Sequence, residues 1–152
     1  MAGKSDFLEA LILNLLFKGT TDASLASAAG SVTNLYVSLH TADPGDTGSQ
    51  STSEVTTGQY ALYARAAVAR SGAAWVVSGT SPTSVSPAAA ISFPTTNATG
   101  TGCTATHFGI GIASSGATSL LYSGAITPNI VIPATTAGVI PQLTTASTVT
   151  ED

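Results

Sequence analysis

The sequence is short of charge. Only 8% of its 152 residues are Asp, Glu, Lys or Arg, against about 25% in ordinary soluble domains. The four cations stand apart at Lys4, Lys18, Arg65 and Arg70. No basic stripe can be built from them, so direct nucleic-acid binding is not expected. Cys103 is the single cysteine, which excludes an internal disulfide and a thiolate-based metal centre. No apolar run reaches the roughly 20 residues that a membrane-spanning helix requires, so no membrane partner is expected.

What is present is apolar and small. Hydrophobic residues make up 43% of the chain, with 15 Gly and 7 Pro, and most of the polar remainder is Ser and Thr. That apolar fraction is far above a disordered composition, and the length fits one domain with a core of its own. Like-charge repulsion normally keeps soluble monomers apart. With a net charge of −4 and so few ions, much of this surface is neutral and suited to packing against other subunits. A homo-oligomer is the expectation.

The start of the chain, "SDFLEALILNLLFKG", reads as a helix. Asp6 and Glu9 have the spacing of a capping box, and Lys18 and Gly19 suit a helix C-terminus. Leu8, Leu11, Ile12 and Leu15 form one face, while Phe7, Leu13, Leu16 and Phe17 cover much of the remainder. Such a helix must be buried on most sides, within the domain or between subunits. Its apolar run and the small residues at 26–28 resemble a leader, but Asp6 and Glu9 argue against one. The segment is expected to belong to the mature chain.

From Asn34 the period changes to two. Leu35, Val37 and Leu39 alternate with Tyr36, Ser38 and His40, the pattern of a half-buried strand. Further strands are expected in "YALYARAAVAR", "AAWVVSG", "AAISFP", "ATHFGIGIAS", "SLLYSGAI", "NIVI" and "QLTTASTVT", with the first two of these joined as a hairpin through Ser71-Gly72. Prolines 128, 133 and 141 punctuate the later runs. About eight short strands with Gly/Pro turns and one helix predict a mainly β chain. The expected architecture is an antiparallel β-sandwich or jelly-roll-like domain over 34–152, preceded by an N-terminal helix and arm over 1–33.

The stretch "LYVSLHTADPGDTG" places His40, Asp43 and Asp46 within seven residues. A metal site would need further ligands, and His107 is the one other histidine. Calcium would want an oxygen-rich loop, and two aspartates without the EF-hand pattern do not supply it. Asp-Pro-Gly is ordinary turn chemistry, so no metal is expected. Serines abound, but no Gly-x-Ser-x-Gly elbow is present. The carboxylates Asp43, Asp46 and Glu54 share one loop, a poor source of a glycosidase pair. "GIGIAS" has dinucleotide-like spacing without a following helix; close approach at a strand explains its glycines better. Cys103 near His107 reads as a small apolar residue rather than a nucleophile. Neither catalytic residues nor a cofactor are expected. Arg65 and Arg70 are expected to pair with Asp43, Asp46 or Glu54.

In their order along the chain, "LYVSLHTADPGDTG", "SEVTTGQYALYARAAVAR", "ISFP", "THFGIGIASSGATSLLYSGAITPNI" and "LTTASTVTED" resemble a family of small tailed-bacteriophage virion proteins, tail-fibre-like or structural. The resemblance covers 35–152 and departs from the shorter "YAR" form at 60–65. It implies a β-sandwich virion component and brings no catalytic residues. The expected function is therefore non-enzymatic: a capsid decoration or cement protein, bound to other virion proteins and above all the major capsid protein. Phe7, Leu11, Leu15 and Phe17, with the loop residues Asp43, Asp46 and Glu54, are the candidate contacts. The alternative is a tail or fibre-associated protein for host adhesion, with Tyr60, Tyr63 and Trp75 as glycan contacts.

Overall fold

The computed structural model of the chain describes residues 3–5, 33–78 and 83–151. The predicted N-terminal helix, with Phe7, Leu11, Leu15 and Phe17, lies outside the described residues. Among those described there is no helix, and they form ten strands, all paired antiparallel.

The largest sheet has five strands in the order β1-β8-β7-β2-β3. They are β1 (Gly3–Lys4), β2 (Asn34–His40), β3 (Ala66–Ala69), β7 (Cys103–Gly111) and β8 (Leu120–Ile132). A second sheet has the order β10-β5-β4, made of β4 (Trp75–Ser78), β5 (Thr83–Pro87) and β10 (Val149–Glu151), and β6 (Ile91–Ser92) pairs with β9 (Gln142–Leu143).

The period-two patterns of β2 and β7 explain the centre of the molecule. Val37 lies opposite Ile110 and Leu39 opposite Phe108, so four large apolar side chains share one face. They join Ile91, Phe93, Leu143 and Val149 in the core cluster. Each fully buried side chain of this kind contributes about 1.5–3 kcal/mol. The intervening residues put Ser38 opposite Gly109 and His40 opposite His107 on the other face.

Four expectations are corrected. The predicted hairpin through Ser71-Gly72 does not form, because β3 pairs with β2 and β4 with β5. Only the end of "YALYARAAVAR" is a strand, since 61–62 are in a turn. "SLLYSGAI" and "NIVI" belong to one strand, β8, that runs through Pro128. "QLTTASTVT" divides into β9 and β10, which lie in different sheets.

Strand β8 tolerates its proline because its pairing with β7 is broken there. Ala105 faces Ile130 and His107 faces Ala125, so residues 126–129 stand opposite Thr106 alone. Proline offers no N–H to a ladder, and a bulge is where that loss costs least.

Candidate functional site

The loop between β2 and β3, residues 41–65, carries most of the residues with chemical potential. Its first turn is the predicted one: Gly45 N–H donates to Asp43 Oδ1 at 2.9 Å, and Gly45 takes φ 69°, open to glycine without strain. Asp43 and Asp46 are exposed. The chain then returns along the end of β2, with Thr41 N–H donating to the Ser53 carbonyl and Val55 N–H to the Leu39 carbonyl, both at 2.9 Å.

That return brings Glu54 against Arg65. Arg65 Nε donates to Glu54 Oε1 at 2.7 Å and an Nη to Oε2 at 2.8 Å, the bidentate fork that fits a carboxylate best. The two side chains are 3% and 14% exposed. Remaining guanidinium donors reach the carbonyls of Ala113 and Gly116 at 2.9 and 2.8 Å. The Tyr63 hydroxyl donates to Glu54 Oε1 at 2.9 Å and accepts from Leu39 N–H at 3.0 Å. Of the three carboxylates weighed for Arg65, the partner is Glu54, in the same chain.

His40 lies on the sheet's opposite face and is completely buried. The Thr52 carbonyl, 2.8 Å from Nδ1, can only accept, so Nδ1 carries the proton. Nε2 then accepts from the Ser38 hydroxyl at 2.8 Å. Burial holds the imidazole below its ordinary pKa, outweighing the Thr52 hydrogen bond and the charge of Glu54 that would raise it. The arrangement matches the nucleophile–base half of a catalytic triad, but it is sealed. Ser38 is also fully buried. A Cβ on Gly109 would lie 2.6 Å from His40 Nε2, 2.8 Å from Ser38 Oγ and 2.9 Å from Leu120 Cδ1. A space that excludes one methyl group admits no substrate, so the pair is a structural crosslink.

The same geometry accounts for "GIGIAS". A Cβ on Gly111 would overlap the side chain of Gln50. Gln50 is fully buried; its Nε2 donates to the Tyr36 carbonyl at 3.2 Å, and its Oε1 accepts from the Thr118 hydroxyl at 2.7 Å and Ala113 N–H at 3.2 Å. The two glycines are spaces for His40 and Gln50, as close approach at a strand predicts. No sequence motif signalled Gln50.

His107 is paired across the sheet with His40, and its Nδ1 is 2.9 Å from the Thr106 hydroxyl. Both nitrogens of His40 are already engaged, so the pair is not offered to a metal. Among the described residues, no three His, Cys, Asp or Glu stand together as ligands. Cys103 and His107 are four residues apart on β7, roughly 13 Å at strand rise, too far for a dyad; burial also pushes the Cys103 thiol up. Tyr60 is 1% exposed, and the Tyr63 ring stacks on Phe93 with centroids 6.4 Å apart. Neither ring is free to lie on a glycan.

A shallow concavity of about 390 Å³ lies over the Glu54–Arg65 pair, whose hydrogen-bonding groups are already engaged with each other; a second one lies where β8 leaves β7. Residues 126–129 and the segment 142–148 bound a cleft of about 410 Å³. Phe108 and Leu143 are buried at its inner side, and Thr127, Asn129 and Thr148 are exposed at its wall. Among the described residues that line it, none is ionisable.

No curated protein matches the chain. Residues 3–147, nearly its whole length, match the family described as podophage GP4 fiber I protein gp80. The match includes the stretches from "LYVSLHTADPGDTG" to "THFGIGIASSGATSLLYSGAITPNI", the order that carries the resemblance to tailed-phage virion proteins. The chain is a component of a phage virion and belongs to the podophage GP4 fiber I protein gp80 family.

Proposed function

We propose that the chain is a non-enzymatic structural component of the phage fibre, serving attachment to the host surface. The observation that carries this reading is the match over residues 3–147 to a family described as a fibre protein. It favours the fibre alternative over the capsid decoration role that low charge alone suggested. The one dyad-like pair, Ser38 and His40, is buried beyond reach of a substrate, in keeping with a structural role.

The physical properties suit such a component. The loop 41–65 is fastened by a buried ion pair and backbone hydrogen bonds, so the domain is held without disulfides. Val77 and Val131 are 70% and 66% exposed on a surface with little charge to repel another copy. We assign these uncharged flanks to contacts with further copies and with other virion proteins.

The test is location on purified particles. A labelled chain found on fibres in low copy number, with quantitative mass spectrometry in agreement, is the expected result. Label spread over the shell at the abundance of a capsomer-associated protein would restore the decoration reading.

A further inference from the structure

We infer that the cleft between residues 126–129 and 142–148 is a binding site for an uncharged carbohydrate. The identity of that sugar as part of a host glycan rests on the fibre reading above; the cleft's chemistry does not.

Size comes first. At about 410 Å³ the cleft falls within the roughly 300–1,000 Å³ of small-molecule sites. The exclusions are equally informative. With no ionisable side chain among its described lining residues, it offers little to offset the desolvation of a phosphate, a carboxylate or an ammonium group. An anionic or cationic ligand is therefore disfavoured.

What the cleft offers is donors and acceptors in mixed array. The side chains of Thr127, Asn129 and Thr148 have no hydrogen-bond partner among the described residues, although each lines the cleft. Hydroxyls and a carboxamide each donate and accept, which is what sugar hydroxyls require. Residues 126–129 have no register partners on β7, and β1 pairs with β8 only at Tyr122 and Ser123. Pro128 and Ile130 supply apolar surface beside these polar groups, where the C–H face of a pyranose can lie.

The strand irregularity makes the cleft. If β8 kept its register with β7, residues 126–129 would lie in the sheet and no concavity would open. A bulge that re-aims side chains is a recurrent device next to binding sites.

The experiment uses the full-length chain and a panel of neutral hexose and N-acetylhexosamine oligosaccharides, with a sialylated sugar and inorganic phosphate as comparisons. Binding is followed by ligand-observed and amide NMR. The expected result is binding of a neutral sugar, with amide shifts confined to 126–130 and 142–148. Asn129→Ala weakens it about tenfold, the effect of losing one to two hydrogen bonds. Thr57→Ala, outside the cleft, leaves it unchanged. Thermal unfolding checks that Asn129→Ala folds, and Thr127→Val provides a second reading on the same wall. Absence of neutral-sugar binding at millimolar concentration overturns the inference, as does tighter binding of the anionic probes or undiminished, native-strength binding by both wall variants. A chain located on fibres that binds no neutral sugar overturns this inference alone. A chain located on the shell that binds one supports the cleft and overturns the fibre reading.

Discussion

The loop 41–65 and the β8 cleft invert what their compositions suggest. The loop holds His40's carbonyl partner, a bidentate Arg65–Glu54 pair and the Tyr63 hydroxyl, the groups a chemist would choose for reactivity, and it holds them partly buried and mutually satisfied. The cleft has apolar residues such as Phe108, Ile126 and Leu143 at its inner side and uncharged Thr, Asn, Gln and Ser around them, and it is open to solvent. In a chain with so few charges, one ion pair, Arg65–Glu54, fastens a loop to a sheet. The recognition proposed for the cleft would rest on neutral groups. The lesson is that reactive residue types locate a site only when their remaining valences are free.

The sharpest way to break this comparison is to remove one half of the ion pair. Glu54→Ala leaves the Arg65 guanidinium, 3% exposed at its side chain, without its counter-ion. The expected loss of stability is on the order of 3–5 kcal/mol, measured by urea unfolding. A loss below about 1 kcal/mol would place the pair with ordinary surface salt bridges and remove the contrast between fastened loop and open cleft.

Next in size is Gly111→Ala. Its methyl would displace Gln50, whose carboxamide holds Tyr36, Ala113 and Thr118 together. Overpacking of this kind costs about 1–3 kcal/mol. Pairing it with Gln50→Ala separates the causes: if steric overlap is responsible, the double variant is no less stable than Gln50→Ala alone.

Part of this was legible in the sequence. The alternation over 35–40 announced β2 and the core face of Val37 and Leu39, because period two leaves no other regular reading, but the half-buried strand it implied is buried on both faces at Ser38 and His40. Asp43-Pro44-Gly45 announced its turn through side-chain chemistry confined to three residues. The glycines of "GIGIAS" signalled a close approach. Long-range pairing was not legible. Arg65 had three carboxylates to choose from, and only the bridge between His40 and Glu54 decides among them. The hairpin expected at Ser71-Gly72 failed because a turn signal says that a chain reverses, not which strand it will pair with. The cleft was hidden for the same reason: Pro128 reads as a strand terminator unless the opposing strand is known to be out of register.

Titration offers a milder perturbation of the loop. The folded state depresses the His40 pKa below the ordinary 6.5, so folding favours the neutral ring. Above about pH 6.5 both folded and unfolded states are neutral there, and the His40 contribution is fully present. As pH falls below 6.5, the unfolded chain takes up a proton that the folded chain refuses. Stability then declines toward the folded-state pKa, at no more than about 1.4 kcal/mol per pH unit for this single group. Unfolding free energies between pH 7.5 and 5.5 should show the decline in the native protein and a flatter profile in His40→Gln, which cannot take up that proton. A native profile flat over this range would mean that the imidazole is not held in its neutral form.

The smallest effect belongs to the cleft. Asn129 is exposed and its side chain has no hydrogen-bond partner among the described residues, so truncation to Ala removes no contact the fold depends on. Its stability should stay within about 0.5 kcal/mol of the native chain. That near-silence matters because it contrasts with Glu54→Ala measured in the same assay. One residue is conspicuous in the sequence and carries the fold, while the other is inconspicuous and dispensable to it. If Asn129→Ala instead destabilised the chain by as much as Gly111→Ala, the excursion at 126–129 would be a structural brace, and its free valences would already be committed to holding the strand in place.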